Sequence, residues 1–407
     1  MIRTTDDSHN FDKRRYRTED ALRRVAIVGT GQTKCKERRD DVSFPGLIYE
    51  AASRALDDAG ITINDVDAVV FGSAPELFEG VNHPEHWCAD SAGAWLKPTM
   101  RIHTGGTVGA STGIAAFYYI ASGMFDTVLA VTGDKLSESP VQLGLSTVYD
   151  PILGRQFACG APSAVALQAR QYMDEFGVTE EQAALVAVKN RRNALLNPYA
   201  QLKIPHISVE MVMDSPVLSS PIKLLDACPA SDGACAMVLT GEERAEKLNP
   251  RPAWVKAVAT YNEGVYYPGR DFATPLALME AAKKVYKAAG ITDPRRQFDV
   301  AELYEAFSFQ EMLWTEALFF CERGEGGKLV ESGATEMTGD LPINPSGGVL
   351  STNTIGATAM MRQAEAAMQV MGRAGEHQID GARTALAHGW GGGIQFHTLM
   401  IVGAEKG

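Results

Sequence analysis

A cysteine just ahead of a helix is well placed to become a thiolate, because the helix dipole favours the ionised sulfur. Cys159, in Phe157-Ala158-Cys159-Gly160, has that place before a helix expected over residues 161–176. It reads either as a nucleophile or as a packing thiol, since most free cysteines simply fill space. Cys88, beside His86 and Trp87, carries the same pair of readings. His388 precedes Gly389-Trp390-Gly391-Gly392 at an expected strand end. An imidazole there can accept a proton near neutral pH, or be satisfied by backbone. His103 lies on a strand leading into Thr104-Gly105-Gly106-Thr107 and reads more readily as structural. Gly105-Gly106 and Gly347-Gly348 allow a ligand or another backbone to come close. Amides at the start of the following helices could hold an oxyanion, or the glycines could serve packing alone.

These residues need a frame, and the chain repeats one. Glu50-Ala51-Ala52 leads through a helical run to Ala59-Gly60-Ile61-Thr62 and a strand at 67–72. Glu280-Ala281-Ala282 leads the same way to Ala289-Gly290-Ile291-Thr292 and a strand at 299–303. Apolar residues at helical spacing stop at a glycine in both copies, as at a helix C-terminus. Gly105-Gly106, a helix and Asp126-Thr127-Val128-Leu129-Ala130-Val131 are matched by Gly347-Gly348, a helix and Arg383-Thr384-Ala385-Leu386-Ala387-His388. Strands alternating with helices predict an α/β protein of two similar halves about a pseudo-twofold. The expected division is a tail or arm over 1–23, a first half over 24–270 with an inserted loop domain at about 134–240, and a second half over 271–407. The repeat places His388 opposite the Gly105–Thr107 turn.

Bulk properties narrow the function. A chain of 407 residues is too long for one ordinary core. A net charge of −12 argues against a nucleic-acid surface, although a local basic patch could still hold an anionic ligand. No apolar run approaches a membrane span. The first 23 residues lack the apolar stretch of a secretory signal. The six cysteines are scattered with no Cys-x-x-Cys pair, so neither a metal nor a disulfide framework is expected, and the cytoplasm is the expected compartment.

Several ordered motifs give the chain a family likeness. The segments 122–135 (SGMFDTVLAVTGDK), 224–239 (LLDACPASDGACAMVL), 299–307 (DVAELYEAF) and 341–357 (LPINPSGGVLSTNTIGA), with the Gly-rich end after His388, resemble the thiolase superfamily from about Val25 to Gly407. Within it the likeness is to the sterol-carrier-type group, which includes the large subunit of benzoylsuccinyl-CoA thiolase and the steroid side-chain aldolases. The resemblance implies a duplicated, layered αβαβα fold, a homodimer, coenzyme A as substrate and an acyltransferase or related C–C bond chemistry. It also implies a small OB-fold, zinc-ribbon partner. Lys189, Arg192 and Lys203 would then be available to the CoA phosphates, unless they form an ordinary solvated face. Cys159 would lie in the loop over the pantetheine arm, and Cys228 would match a common structural position.

Departures from the pattern limit the mechanism. The family's nucleophilic cysteine belongs in the turn that here reads Thr104-Gly105-Gly106-Thr107. Its Asn or His in NEAF or HDAF is Tyr304, and its GHP histidine is Asn353. One expectation is thiolytic cleavage, or the reverse Claisen condensation, of a bulky and possibly aromatic β-ketoacyl-CoA, with Cys159 as a displaced nucleophile and His388 as base. A second is a retro-aldol cleavage through Tyr304, since LYEAF resembles the aldolases' LYDHF, although their second tyrosine corresponds to Asn353. A third is a catalytically silent acyl-CoA- or lipid-binding scaffold. For either reaction Asn353 and the backbones of Gly106, Gly348 and Gly392 are the expected oxyanion donors.

Overall fold

The computed structural model describes residues 22–156, 160–265 and 269–406. Cys159 and nearly all of the expected N-terminal arm lie outside them. Among the described residues nine strands form one mixed sheet, in the spatial order Thr99–Ile102, Ala68–Gly72, Thr127–Lys135, Asp232–Gly241, Val25–Gln32, Ala253–Asn262, Phe396–Gly403, Thr384–Gly391, Val300–Glu302.

The order reads the same from either edge. Ala68–Gly72 runs parallel to Thr127–Lys135, which is antiparallel to Asp232–Gly241. Val300–Glu302 runs parallel to Thr384–Gly391, which is antiparallel to Phe396–Gly403. At the other edge a parallel bridge between Ala301 and Ile343 is the second copy's counterpart of the pairing of Ala68–Gly72 with Thr99–Ile102. The copies join through Val25–Gln32 and Ala253–Asn262, paired at Ala26 with Trp254 and Ile27 with Ala253. Thus Ala253–Asn262, expected in the first half, pairs along its length with Phe396–Gly403 and sits with the second copy.

Helices complete the layers. Phe44–Ala59 buries Leu47, Ile48, Ala51 and Ala55 against the first half, and Leu276–Ala289 buries Leu278, Ala281, Ala282 and Val285 against the second. Both end at a glycine in the left-handed region, Gly60 and Gly290. The helices Val108–Ala121 and Thr358–Met371 pack on each other between the two halves. Every residue of Thr358–Met371 is buried, as a central-layer helix requires. Their contact is close enough that a Cβ on Gly109 would lie 2.6 Å from the Met360 nitrogen.

The insertion occupies the connection between Thr127–Lys135 and Asp232–Gly241, whose residues themselves belong to the sheet. It holds the helices Ala161–Phe176 and Glu180–Asn193 and a short hairpin, Val217–Ser219 with Ile222–Lys223. Among the described residues no helix is long and apolar enough to cross a membrane.

Candidate active site

Strand ends, the Gly-rich turns and the insertion enclose a cavity of ≈ 170 Å³. Tyr304 reaches it because Val300–Glu302 ends just before it. Its carbonyl accepts from the Trp314 indole at 3.0 Å, and its ring lies 5.7 Å from that of Trp390. Asn353 enters from the loop before Thr358–Met371. Buried Asp134 anchors that loop, accepting the Gly356 amide at 2.7 Å and the Ala74 amide at 3.1 Å.

The Asn353 carboxamide organises the cavity floor. Its Oδ1 accepts from the Tyr304 hydroxyl at 3.3 Å, the Thr358 hydroxyl at 2.8 Å and the Ile355 amide at 3.0 Å. This fixes which end is oxygen and turns Nδ2 toward Cys228, whose Sγ accepts at 3.0 Å. Cys228, expected only at a common structural position, is therefore a thiol on the cavity wall. Its partner comes from a distant segment, so only its place in LLDACP hinted at it. Burial pushes this thiol up to about 11 and outweighs the Asn353 donor. Burial, with Cys228 nearby, also raises the Tyr304 phenol. At neutral pH both groups keep their protons, so Tyr304 at rest is a donor rather than a base.

Gly105 and Gly106 line the cavity opposite Gly391 and Gly392. A Cβ on Gly106 would sit 2.8 Å from the Trp390 carbonyl oxygen and 3.2 Å from the Gly391 Cα. No side chain fits there without moving one of the two backbones. Gly348 does not face this cavity. The Glu305 carboxylate packs on its Cα, and Gly348 lines a separate small pocket beside Arg362.

His388 lies one step deeper than Trp390 on the same strand face, away from the cavity lining. It is 1% exposed. The Tyr304 amide donates to its Nδ1 at 3.4 Å, and its Nε2 is 3.0 Å from His397 Nδ1. Burial first, then His397, drives its pKa well below the usual histidine range. The expected base is thus a neutral, enclosed ring that supports the backbone beneath Tyr304.

The expected CoA cations also stand elsewhere. Lys189 is 2% exposed and bonds Glu311 at 3.0 Å and the Ile343 carbonyl at 2.7 Å. Arg192 pairs with Glu336 at the surface, and Lys203 borders a different groove beside Tyr199 and Met368. Cys88 is fully buried, with its thiol pushed up to about 12 by burial. His103 is exposed and does not line the cavity. Of the expected set, Tyr304, Asn353, Gly106 and Gly392 meet at one place.

The chain belongs to the thiolase family. The family model described as "Thiolase, N-terminal domain" matches residues 25–243, and "Thiolase C-terminal domain-like" matches residues 265–404. An acetyl-CoA acetyltransferase of Methanothermobacter thermautotrophicus is 36% identical over 91% of this chain and 97% of its own. The benzoylsuccinyl-CoA thiolase subunit BbsB of Thauera aromatica is 29% identical over 92% and 96%. The solved Ltp2-ChsH2(DUF35) aldolase superposes with a TM-score of 0.81 at 28% identity, covering 94% of this chain and 98% of that one. Fold and relatives together define a thiolase-type enzyme.

Proposed function

We propose that this enzyme cleaves, or in reverse forms, a C–C bond in an acyl-CoA by a retro-aldol route that needs no acyl-enzyme at the Gly105–Thr107 turn. The observation that carries this reading is the contact of Gly106 with the Trp390 carbonyl, which leaves no room for a nucleophilic side chain. In the cleavage direction the β-hydroxyl loses its proton, its oxygen becomes the carbonyl of the released aldehyde or ketone as the bond between the α and β carbons breaks, and that bond's electrons form the thioester enolate, which takes up a proton at the α carbon. Tyr304 is the group that exchanges the hydroxyl proton. Asn353 holds the phenol, and the backbones of Gly106 and Gly392 are the candidate donors to the enolate oxygen.

The cavity lining supports an apolar acyl group. Among the described residues it includes no Asp, Glu, Lys, Arg or His. A carboxylate on the acyl group buried there would lack a counter-charge, at a cost of several kcal/mol. The favoured substrates are therefore bulky, uncharged β-hydroxyacyl-CoA thioesters. The likeness to a two-protein aldolase supports a heteromeric assembly with a small OB-fold, zinc-ribbon subunit, around a homodimer of this chain.

A second reading, thiolytic cleavage of a β-ketoacyl-CoA, is favoured by the thiol of Cys228 on the cavity wall, with Cys159 as the further candidate nucleophile. One experiment separates the two. The protein, with any partner subunit, is incubated with β-hydroxyacyl- and β-ketoacyl-CoA thioesters, and products and intact mass are followed. Aldehyde or ketone released without CoA consumption supports the aldolase. An acyl adduct that disappears in Cys228→Ala or Cys159→Ala overturns it in favour of the thiolase. Tight binding without turnover supports an acyl-CoA-binding scaffold.

A further inference from the structure

The long connection between Ala68–Gly72 and Thr99–Ile102 carries His83-Pro84-Glu85-His86 on a single short turn, outside the cavity described above. His83 has φ 62°, and the turn Pro84–Trp87 follows directly. The two imidazoles stack, with ring centroids 5.3 Å apart and planes 23° from parallel. His83 Nδ1 lies 3.3 Å from Glu85 Oε1, and His86 Nε2 lies 3.9 Å from the same oxygen.

We infer that His83, Glu85 and His86 form a binding site for a zinc-class divalent transition metal. The distances carry the inference. Bonds of about 2.0–2.2 Å to nitrogen and oxygen place neighbouring ligand atoms roughly 3.0–3.5 Å apart around the ion. One pair here is already at that separation, and all three donor atoms lie within 4.8 Å of one another. Closing the set needs only side-chain rotation. Both imidazoles have open solvent around them for that rotation, their side chains being 70% and 80% exposed. Glu85 is the fixed member: it is 16% exposed, and its other oxygen is 3.4 Å from Arg101 Nη1. That contact orients the carboxylate as an outer partner does in metal centres. Arg101 also pairs with Glu76 at 2.8 Å, so its charge is shared rather than spent on Glu85.

Ligand chemistry selects the ion. Two imidazoles and one carboxylate suit zinc, nickel, cobalt or copper, whereas calcium and magnesium prefer all-oxygen sets. Three protein ligands leave at least one position for water or for a donor from another molecule. The expectation of no metal rested on the missing Cys-x-x-Cys pairs, and the His-Pro-Glu-His run has a different ligand pattern.

The test uses the full-length, tag-free protein and Zn²⁺ alone. Calorimetric titration is expected to show a site lost in H83A/H86A and weakened at least ~10-fold in E85Q. In parallel, the unmodified protein is treated with diethyl pyrocarbonate with and without Zn²⁺, and His83 and His86 are followed by peptide mass. Zn²⁺ is expected to protect both. Equal modification with and without the ion, or Zn²⁺ binding unchanged in H83A/H86A, overturns the site.

Discussion

Cys228 and Asn353 lie 3.0 Å apart, sulfur to amide nitrogen, although one precedes the Asp232–Gly241 strand of the first copy and the other the Thr358–Met371 helix of the second. The same carboxamide accepts from Tyr304, so a thiol and a phenol are tied to one side chain. Replacing Asn353 with Ala strands three donors at once. The loss of stability is expected to be at least about 1–3 kcal/mol, the scale of a single buried polar group left without a partner. Urea denaturation measures it, and turnover should fall at least ~100-fold if the amide positions Tyr304.

Proton exchange through Tyr304 gives cleavage a distinctive pH profile. Its phenol is raised by burial, so the tyrosinate that accepts the substrate proton is scarce at neutral pH and grows about tenfold per pH unit below its pKa. Cleavage should therefore rise through pH 7–9, roughly tenfold per unit, and Tyr304→Phe should abolish that rise. A flat profile in the unmodified enzyme would remove Tyr304 from the proton transfer.

Stability should move the other way with pH. Burial raises the thiols of Cys35, Cys88, Cys228, Cys235 and Cys321. In the unfolded chain these thiols ionise near ~8.5, whereas in the folded protein they keep their protons. Above that pH the native state binds more protons than the unfolded state, so stability must fall as pH rises. Melting temperatures at pH 7 and pH 10 check this, and equal values would contradict the burial of the thiols.

The uncharged cavity predicts a choice among substrates. A medium-chain or aromatic acyl-CoA should bind about 100-fold more tightly than its analogue bearing a terminal carboxylate, the discrimination expected when a charge must be buried unpaired. Binding calorimetry with non-reacting acyl-CoA analogues reads this independently of turnover. Val165→Arg, on the cavity wall, should narrow or reverse the preference.

Much of the architecture was legible because it was written twice. Helices that stop at Gly60 and Gly290, each leading to a strand, are local signals that tertiary packing leaves intact. Tyr304, Asn353, Gly106 and Gly392 were legible because turns at strand ends carry them to a common edge. His388 misled because strand alternation gives the face but not the depth, and Trp390, two residues on, is the side chain that reaches the cavity. Lys189 looked like a free cation because its partner Glu311 lies on another helix, far along the chain. Cys228 was undervalued for the same reason, since its meaning depends on Asn353.

The narrow space above Gly106 also bears on how readily this protein could change trade. Installing a cysteine there would set its Cβ against the Trp390 carbonyl, so a single substitution meets a wall rather than a vacancy. The strand end at Trp390-Gly391 would have to retreat in the same step, and that segment also carries the ring packed on Tyr304. Two remote stretches of chain thus hold each other in place, and acquiring an acyl-enzyme route at this turn requires coordinated changes in both.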